Sequence, residues 1–414
     1  MLQVHDILQA RERLASFLRP TPLLRANHLS ERLGREIFLK LENLQDTGSF
    51  KVRGALNRIL QLSEKERSRG VVAASAGNHA QGVAWAARRL GIKATVFMPR
   101  QAPIAKLLAT RGYGATVIQE GDSYDECFMA AENWAAVHDA VWIHGFDDPH
   151  VVAGQGTVGL EIHEELREFD AVLVPAGGGG LLAGVAVAVK AFSPSVRVIG
   201  VQSQSAPAVA RSMEAGSRLT IPPGKTLADG IAVATPGEIP MEMIGKWVDG
   251  VFTVGESHIE SALVTLLERK HLVVEGAGAV PLALLMQEPS FLEGKKVVLI
   301  ISGGNLDLQW MDRLIQRGTM AMGRRCRLRM VLPDLPGSLA RVTRIIAATG
   351  ANILQVFHDR LSPEQPLHLS RVEFDLETQG REHVAELVRL MREAGVEILD
   401  PGQGLTEGDP LLGR

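Results

Sequence analysis

Cysteine is nearly absent from this chain: two in 414 residues, Cys127 and Cys326, far apart and outside any C-x-x-C spacing. Neither a disulfide framework nor a thiolate metal site is supported, and a reducing cytosol fits. An excess of charge of one sign is missing too. Lys and Arg number 44 against 47 Asp and Glu, a net charge of -3, and the basic residues form no blocks. Nothing here draws the chain electrostatically to nucleic acid or to an anionic membrane. Long apolar runs are lacking as well: the longest, around "LLAGVAVAVKAF", is short for a membrane span and is cut by Lys190. The opening "MLQVHDILQARERL" does not read as a signal peptide, because Asp6 and Glu12 leave no uninterrupted apolar core. Val4, Ile7, Leu8 and Leu14 recur there at helical spacing and predict an amphipathic helix. The expectation is a cytoplasmic protein with no membrane and no nucleic-acid partner, and no internal repeat is present.

What is present is ordinary for a globular protein, with 46% hydrophobic and 22% charged residues, in a chain too long for one core. From about residue 35 to 325, short apolar runs alternate with helical patterns. "GVVAAS", "ATVFMP", "ATVIQE", "AVLVPA", "VRVIGV" and "KVVLII" read as buried strands, with segments such as "AQGVAWAARRL" and "SYDECFMAAENWAAVH" as helices between them. This predicts an α/β fold of parallel sheets covered on both faces, in two adjacent parts. Past a Gly- and Arg-containing bridge at 315–325 the order becomes strand, helix, strand, strand, helix, strand, a ferredoxin-like βαββαβ unit. The tail "DPGQGLTEGDPLLGR" has a disordered composition.

Three small-residue turns follow predicted strands, where open α/β sheets bind ligands. Four glycines, Gly177 to Gly180, stand between a buried strand and an apolar helix. Alone, four glycines more often mean a linker. Clamped between a strand and a helix, they let backbone N–H groups approach an anion at a helix N-terminus. The dinucleotide and P-loop patterns do not fit, so a small phosphorylated cofactor is the better reading. "ASAGNHAQG" offers Ser75, Gly77 and Asn78 as donors at another helix start, with a structural turn as the equal alternative. "IISGGNLD" ends a buried strand with Ser302, which alone would read as a helix cap. Lys51, beside Phe50 in "TGSFKVRGA", adds an amine. Held by apolar neighbours, such an amine has a lowered pKa and can form a Schiff base. Amine and phosphate cradle together point to pyridoxal 5'-phosphate.

"SFKVRGA", "SAGNHAQG", "PAGGGGLLAG", "TLADG" and "SGGN", in this order, resemble the threonine dehydratase (threonine ammonia-lyase) branch of fold type II pyridoxal-phosphate enzymes. The resemblance runs over about residues 5 to 315 and takes in "MPRQAPIAKLLATRGYGA" and "GFDDPHVVAGQGTVGLEI". It implies a tryptophan synthase β-like catalytic domain over 1–320, with a small subdomain at about 46–147 inserted in the larger one. It also implies roles. Lys51 is the Schiff-base lysine and general base, Phe50 packs on the cofactor ring, and Asn78 bonds the ring 3'-oxygen. Gly177, Gly178, Gly179, Gly180 and Leu181 hold the phosphate. Ser75, Ala76, Gly77, Asn78 and His79 hold an amino-acid substrate, and Ser302 faces the pyridine nitrogen. A hydroxyl there need not hold that nitrogen protonated, which favours β-elimination over transamination. Racemising relatives carry a serine where this chain has Ala76, and bind a divalent cation near the position of Gln202. No metal is therefore expected, and racemisation lacks its proton donor.

The unit at 326–400 resembles an ACT domain, with 401–414 as its tail. Asp334, Pro336, Gly337, Ser338 and Asn352 are its candidate effector residues, for a branched-chain amino acid bound between paired units of a homodimer or homotetramer. Helix capping by Asp334 and Ser338 has equal weight. The implied reaction is dehydration and deamination of L-threonine to 2-oxobutanoate and ammonia, with side activity on L-serine. A serine or threo-hydroxyaspartate dehydratase, or a non-catalytic amino-acid sensor, are the alternatives.

Overall fold

A computed structural model describes residues 2–361 and 365–400, so the expected disorder of the 401–414 tail lies outside the described residues. The chain divides into two compact units, with the break between Asp307 and Leu308. The division expected near residue 320 instead meets the end of a helix, Leu308–Ala321, that groups with the second unit. Among the described residues no helix is long and apolar enough to cross a membrane.

In the first unit the described residues form ten strands: β1 (Leu23–Arg25), β2 (Glu36–Leu41), β3 (Val71–Ala74), β4 (Ala94–Met98), β5 (Thr116–Gln119), β6 (Val141–Trp142), β7 (Ala171–Pro175), β8 (Arg197–Ser203), β9 (Gly250–Val254) and β10 (Lys296–Ile301). They make two sheets, ordered β1-β2-β10-β7-β8-β9 and β5-β4-β3-β6. All pairings are parallel except β1 on β2. β7 shows why its sequence is apolar without alternation: all five residues are buried, as helices on both faces of a parallel sheet require. The long apolar run forms the helix Gly180–Phe192, buried from Gly180 to Val189. It is a core helix packed on Pro149–Glu165.

Helix Lys51–Leu60 belongs to the lobe of the four-stranded sheet, yet charges tie it to the larger sheet. Arg53 Nε and Nη2 donate to the two oxygens of Glu42 at 2.7 and 2.8 Å, and Nη2 donates to Glu161 Oε2 at 2.9 Å. Arg53 Nη1 donates to Thr157 Oγ1 at 3.1 Å, and Lys40 Nζ pairs with Glu161 at 2.8 Å. Lys40 and Arg53 thus balance Glu42 and Glu161, all four buried. A charge out of water is tolerated only when paired and hydrogen-bonded.

In the second unit β11 (Arg325–Pro333), β12 (Asn352–Asp359), β13 (Leu369–Glu377) and β14 (Glu397–Asp400) make an antiparallel sheet, ordered β12-β13-β11-β14. Helices Ser338–Thr349 and Arg381–Glu393 cross over between them, completing βαββαβ. Cys326, Leu328, Met330 and Leu332 alternate on β11 into the core with Val372, Phe374 and Leu376 of β13.

Arg53→Ala should destabilise the first unit by about 3–5 kcal/mol, because Glu42 and Glu161 stay buried without their cation. Arg329→Ala, which breaks a half-exposed pair with Glu373 in the second unit, should cost no more than about 1 kcal/mol. Urea unfolding curves of the two variants against the parent check the contrast.

Candidate active site

β3, β7 and β10 each end at a turn, and the three turns face one cavity of about 670 Å³ in the first unit. Its lining includes Lys51 beside Phe50, Ser75 to His79, Gly177 to Leu181, and Ser302. One cavity therefore brings together every residue that the resemblance assigned to cofactor or substrate.

Lys51 opens its helix directly after Phe50, whose own N–H donates to Ser302 O at 3.1 Å. Lys51 Nζ donates to Gly145 O at 2.7 Å, and lies 5.3 Å from the Phe50 ring centroid and 6.0 Å from that of Phe146. Burial lowers its pKa to about 8, with the charge of Glu275 opposing. A substantial neutral fraction near neutral pH is what a nucleophilic amine needs.

After β7 the chain turns through the glycines, with Gly179 at φ +93°, and the helix starts at Gly180. The loop is pressed against Phe146: a Cβ on Gly178 would come within 2.4 Å of that ring. Only glycine permits this approach. Hydrogen bonding along the helix begins with Ala183 N–H on Gly179 O. The preceding N–H groups are left for an anion, where the helix dipole assists them.

Ser75 to His79 join β3 to the helix Asn78–Arg89. Ser75 Oγ accepts from Gly77 N–H at 3.1 Å, and no side chain caps the helix. His79 is buried, with Nε2 2.8 Å from Ile143 O, so Nε2 carries the proton. Burial, with the charge of Lys51 second, pushes its pKa down to about 3, and the ring stays neutral. The Ser302 side chain is buried on the cavity wall, and a ring nitrogen suits its hydroxyl. With an amine, a cradle of N–H groups and this hydroxyl around one space, the donor set fits pyridoxal phosphate.

Three cavity residues escaped the sequence reading, Glu275, His144 and Phe146, and so did Asn305, which bonds Asn78 from outside the lining. Glu275 accepts from Asn78 Nδ2, and burial pushes its pKa up to about 7 against the pull of that bond. His144 Nδ1 accepts the N–H groups of Phe146 and Asp147, which shapes the loop over the glycines. Only Glu275 had a local signal, an acid between "LVV" and the small-residue helix "GAGA". Gln202 spends its amide on structure, donating to Ala176 O at 2.8 Å and accepting from Ala210 N at 2.9 Å.

The candidate effector residues lie in the second unit. Asp334 follows β11, and its carboxylate is taken by Arg360 through Nε at 3.0 Å and Nη2 at 2.8 Å. Pro336 is exposed, and Gly337 precedes the helix at φ +91°. Ser338 opens that helix without capping it, and Asn352 Nδ2 reaches Glu377 at 3.3 Å.

Parallel sheets meeting at a glycine-cradled, lysine-bearing cavity define a cofactor-dependent enzyme of the α/β class. The family described as pyridoxal-phosphate dependent enzyme matches residues 14–303. The L-threonine ammonia-lyase of Thermotoga maritima is 47% identical over 398 residues, 96% of this chain and 99% of that one. The catabolic L-threonine dehydratase TdcB of Escherichia coli is 44% identical over 75% of this chain and 95% of its own. The processed threonine deaminase isoform 2 of Solanum lycopersicum superposes with a TM-score of 0.73 at 36% identity, over 76% of this chain and 91% of that one. The chain belongs to the pyridoxal-phosphate dependent enzyme family, and pyridoxal 5'-phosphate is its cofactor.

The folded-state pKa of Lys51 is lowered, so the neutral amine appears as pH rises through about 8, whereas an ordinary lysine needs about 10.5. In the apoenzyme, acylation of Lys51 by a neutral reagent, followed by peptide mass spectrometry, should show a midpoint near pH 8. In denaturant the midpoint should move up toward the ordinary value. A folded-state midpoint at the ordinary value would mean that the cavity does not desolvate the amine.

Proposed function

We propose that this chain is a cytoplasmic L-threonine ammonia-lyase, converting L-threonine to 2-oxobutanoate and ammonia with side activity on L-serine. The observation that carries the reading is the single cavity joining the Lys51 amine, the Asn78 amide, the glycine cradle and the Ser302 hydroxyl. The T. maritima relative, similar over nearly the whole chain, supports threonine as the substrate.

Bound pyridoxal phosphate supplies an electron-withdrawing ring that acidifies the substrate Cα–H and allows the β-hydroxyl to leave. The protein does the rest. The loop Gly177 to Leu181 would hold the phosphate through its N–H groups, and the N–H groups of Ala76, Asn78 and His79 would receive the substrate carboxylate, that of Gly77 being taken by Ser75 Oγ. Asn78 would bond the ring oxygen and Phe50 would pack on the ring. Lys51 would anchor the cofactor, and its free Nζ would take the Cα proton of the substrate. Ser302 offers the pyridine nitrogen a neutral hydroxyl, so no carboxylate at that atom holds it protonated. The β-hydroxyl would depart as water with the proton that Lys51 Nζ has taken from Cα, and the released enamine would tautomerise and hydrolyse to the 2-oxo acid and ammonia. Ala76 has no acid or base to offer the opposite ring face, so no residue there returns a proton with inversion.

The C-terminal unit is read as an ACT-like module that pairs in a homodimer or homotetramer and binds a branched-chain amino acid. Its strand order and its Gly337 turn support this. Because Arg360 already holds Asp334, an effector ammonium competes with that guanidinium for the carboxylate. A change in rate requires that the effector bind two states with different affinity.

Steady-state 2-oxo acid formation should rank L-threonine above L-serine and threo-hydroxyaspartate, and isoleucine, with valine second, should change the rate. Lys51→Ala should keep the fold by circular dichroism and lose turnover altogether; residual threonine dehydration would sink the assignment of Lys51. Ala76→Ser should raise serine racemisation above background by chiral chromatography. No change there would show that a missing acid on that face is not what prevents it.

A further inference from the structure

Asn78 is held at both ends of its amide. Its Nδ2 lies 2.8 and 2.9 Å from the two oxygens of Glu275, and its Oδ1 lies 2.7 Å from Asn305 Nδ2. Asn305 Nδ2 also donates to Thr47 O at 3.0 Å. A backbone carbonyl only accepts, so Asn305 must turn its NH2 toward Thr47, and the same NH2 then meets Asn78. Asn78 consequently turns its oxygen to Asn305 and its nitrogen to Glu275, which in its ionised form, above about pH 7, also only accepts. Hydrogen-bond networks of this kind are what fix the O and N of an amide. Two oxygens of one carboxylate, seen from one nitrogen, subtend a narrow angle and share a single N–H. The second N–H of Asn78 is left over, on a residue that lines the cavity.

The surroundings hold the arrangement in place. Glu275 is 6% exposed, and its N–H donates to Gly303 O at 3.0 Å. A Cβ on Gly303 would lie 2.4 Å from Glu275 Oε1 and 3.2 Å from Asn78 Nδ2. The first glycine of "SGGN" therefore makes room for the Glu275–Asn78 pair, and the asparagine that ends the motif closes the chain of bonds.

We infer that Glu275 and Asn305 are positioning residues that set the polarity of the Asn78 amide, so that an N–H and not the oxygen faces the cofactor's ring oxygen. This rests on the reading of Asn78 given above. An N–H favours negative charge on that oxygen, whereas a reversed amide would set a lone pair against it. Either partner alone fixes the polarity. With Glu275 replaced by glutamine, Asn305 still presents its NH2 to Asn78. With Asn305 replaced by alanine, Glu275 still accepts above about pH 7, where it is ionised and where the test is run. Only when both are changed can the amide turn.

The test is a double-mutant cycle on the full chain, read by the absorption band of the substrate-free holoenzyme and by pyridoxal phosphate affinity on reconstitution. Glu275→Gln and Asn305→Ala should each keep the parental band and weaken affinity by no more than about threefold. The double variant should shift the band and weaken affinity by roughly tenfold beyond the product of the singles. Effects that simply multiply, with an unshifted band, would reduce both residues to space-filling and overturn the inference. Asn305→Asp is the second arm, should the double variant not fold. It sets acceptors at both ends of Asn78 and should by itself shift the band, so a parental band and affinity there also overturn the inference. Asn78→Ala separates the two levels. If it leaves band and affinity unchanged, the reading of Asn78 falls and takes the inference with it. If it changes them while the cycle stays multiplicative, only the positioning role fails.

Discussion

Arg53, caught between Glu42 and Glu161, is the constraint on which the catalytic geometry depends. It lies two residues after Lys51 on the same helix, and its partners belong to the turn after β2 and to helix Pro149–Glu165. Well-packed apolar residues could hold these elements together as firmly. What they would lack is direction. A guanidinium satisfied at Nε, Nη1 and Nη2 fixes the rotation and the register of the helix, whereas an apolar contact tolerates sliding. Phe50 N–H on Ser302 O pins the other side of Lys51. The amine is thus placed from two directions, on the first residue of a rigid element, and this is the precision that a reacting group requires.

The cavity then acts on charge. Burial moves Lys51, His79 and Glu275 all toward their neutral forms, to about 8, 3 and 7. Such an interior would be hostile to a phosphorylated ligand if side-chain charges had to hold it. The glycine loop avoids the difficulty by offering backbone N–H dipoles, which cost no desolvation of a cation and are fixed before the ligand arrives. It also explains why the loop contains no charged residue, and why Phe146 rather than a polar side chain lies over Gly178.

The sequence made visible whatever is contiguous. β3, β4, β5, β7, β8 and β10 announced themselves as apolar runs, and the turns after β3, β7 and β10 as clusters of small residues. β6, with two residues, and β1, with three, are too short to show a period, and β9 is only partly buried. What stayed hidden was made by folding. Asn78 and Glu275 are 197 positions apart, and Arg53 and Glu161 are 108 apart. No local pattern names the partner of either acid, because the meaning of each comes from burial beside a particular side chain. Asp334 shows the same limit from the other side: its turn was legible, while the guanidinium of Arg360 on its carboxylate was not.

On the proposed reading, the outcome of the reaction is decided as much by missing groups as by present ones. The bound cofactor makes several reactions accessible once the Cα proton is gone, and the protein selects among them by what stands around the substrate. Lys51 is the amine at the anchor, so proton removal belongs to the ring face it occupies. Ala76 puts a methyl group where inversion would need an acid, and Ser302 puts a hydroxyl where a carboxylate would hold the ring nitrogen protonated. Each absence raises the barrier to one alternative and leaves β-elimination as the path that needs no further group. Asn78 belongs to the same logic. An amide is chemically ambiguous, able to donate or to accept, and at this position only one of the two helps. Glu275 and Asn305 remove the ambiguity before any ligand arrives, so that none of the binding energy goes into turning the amide.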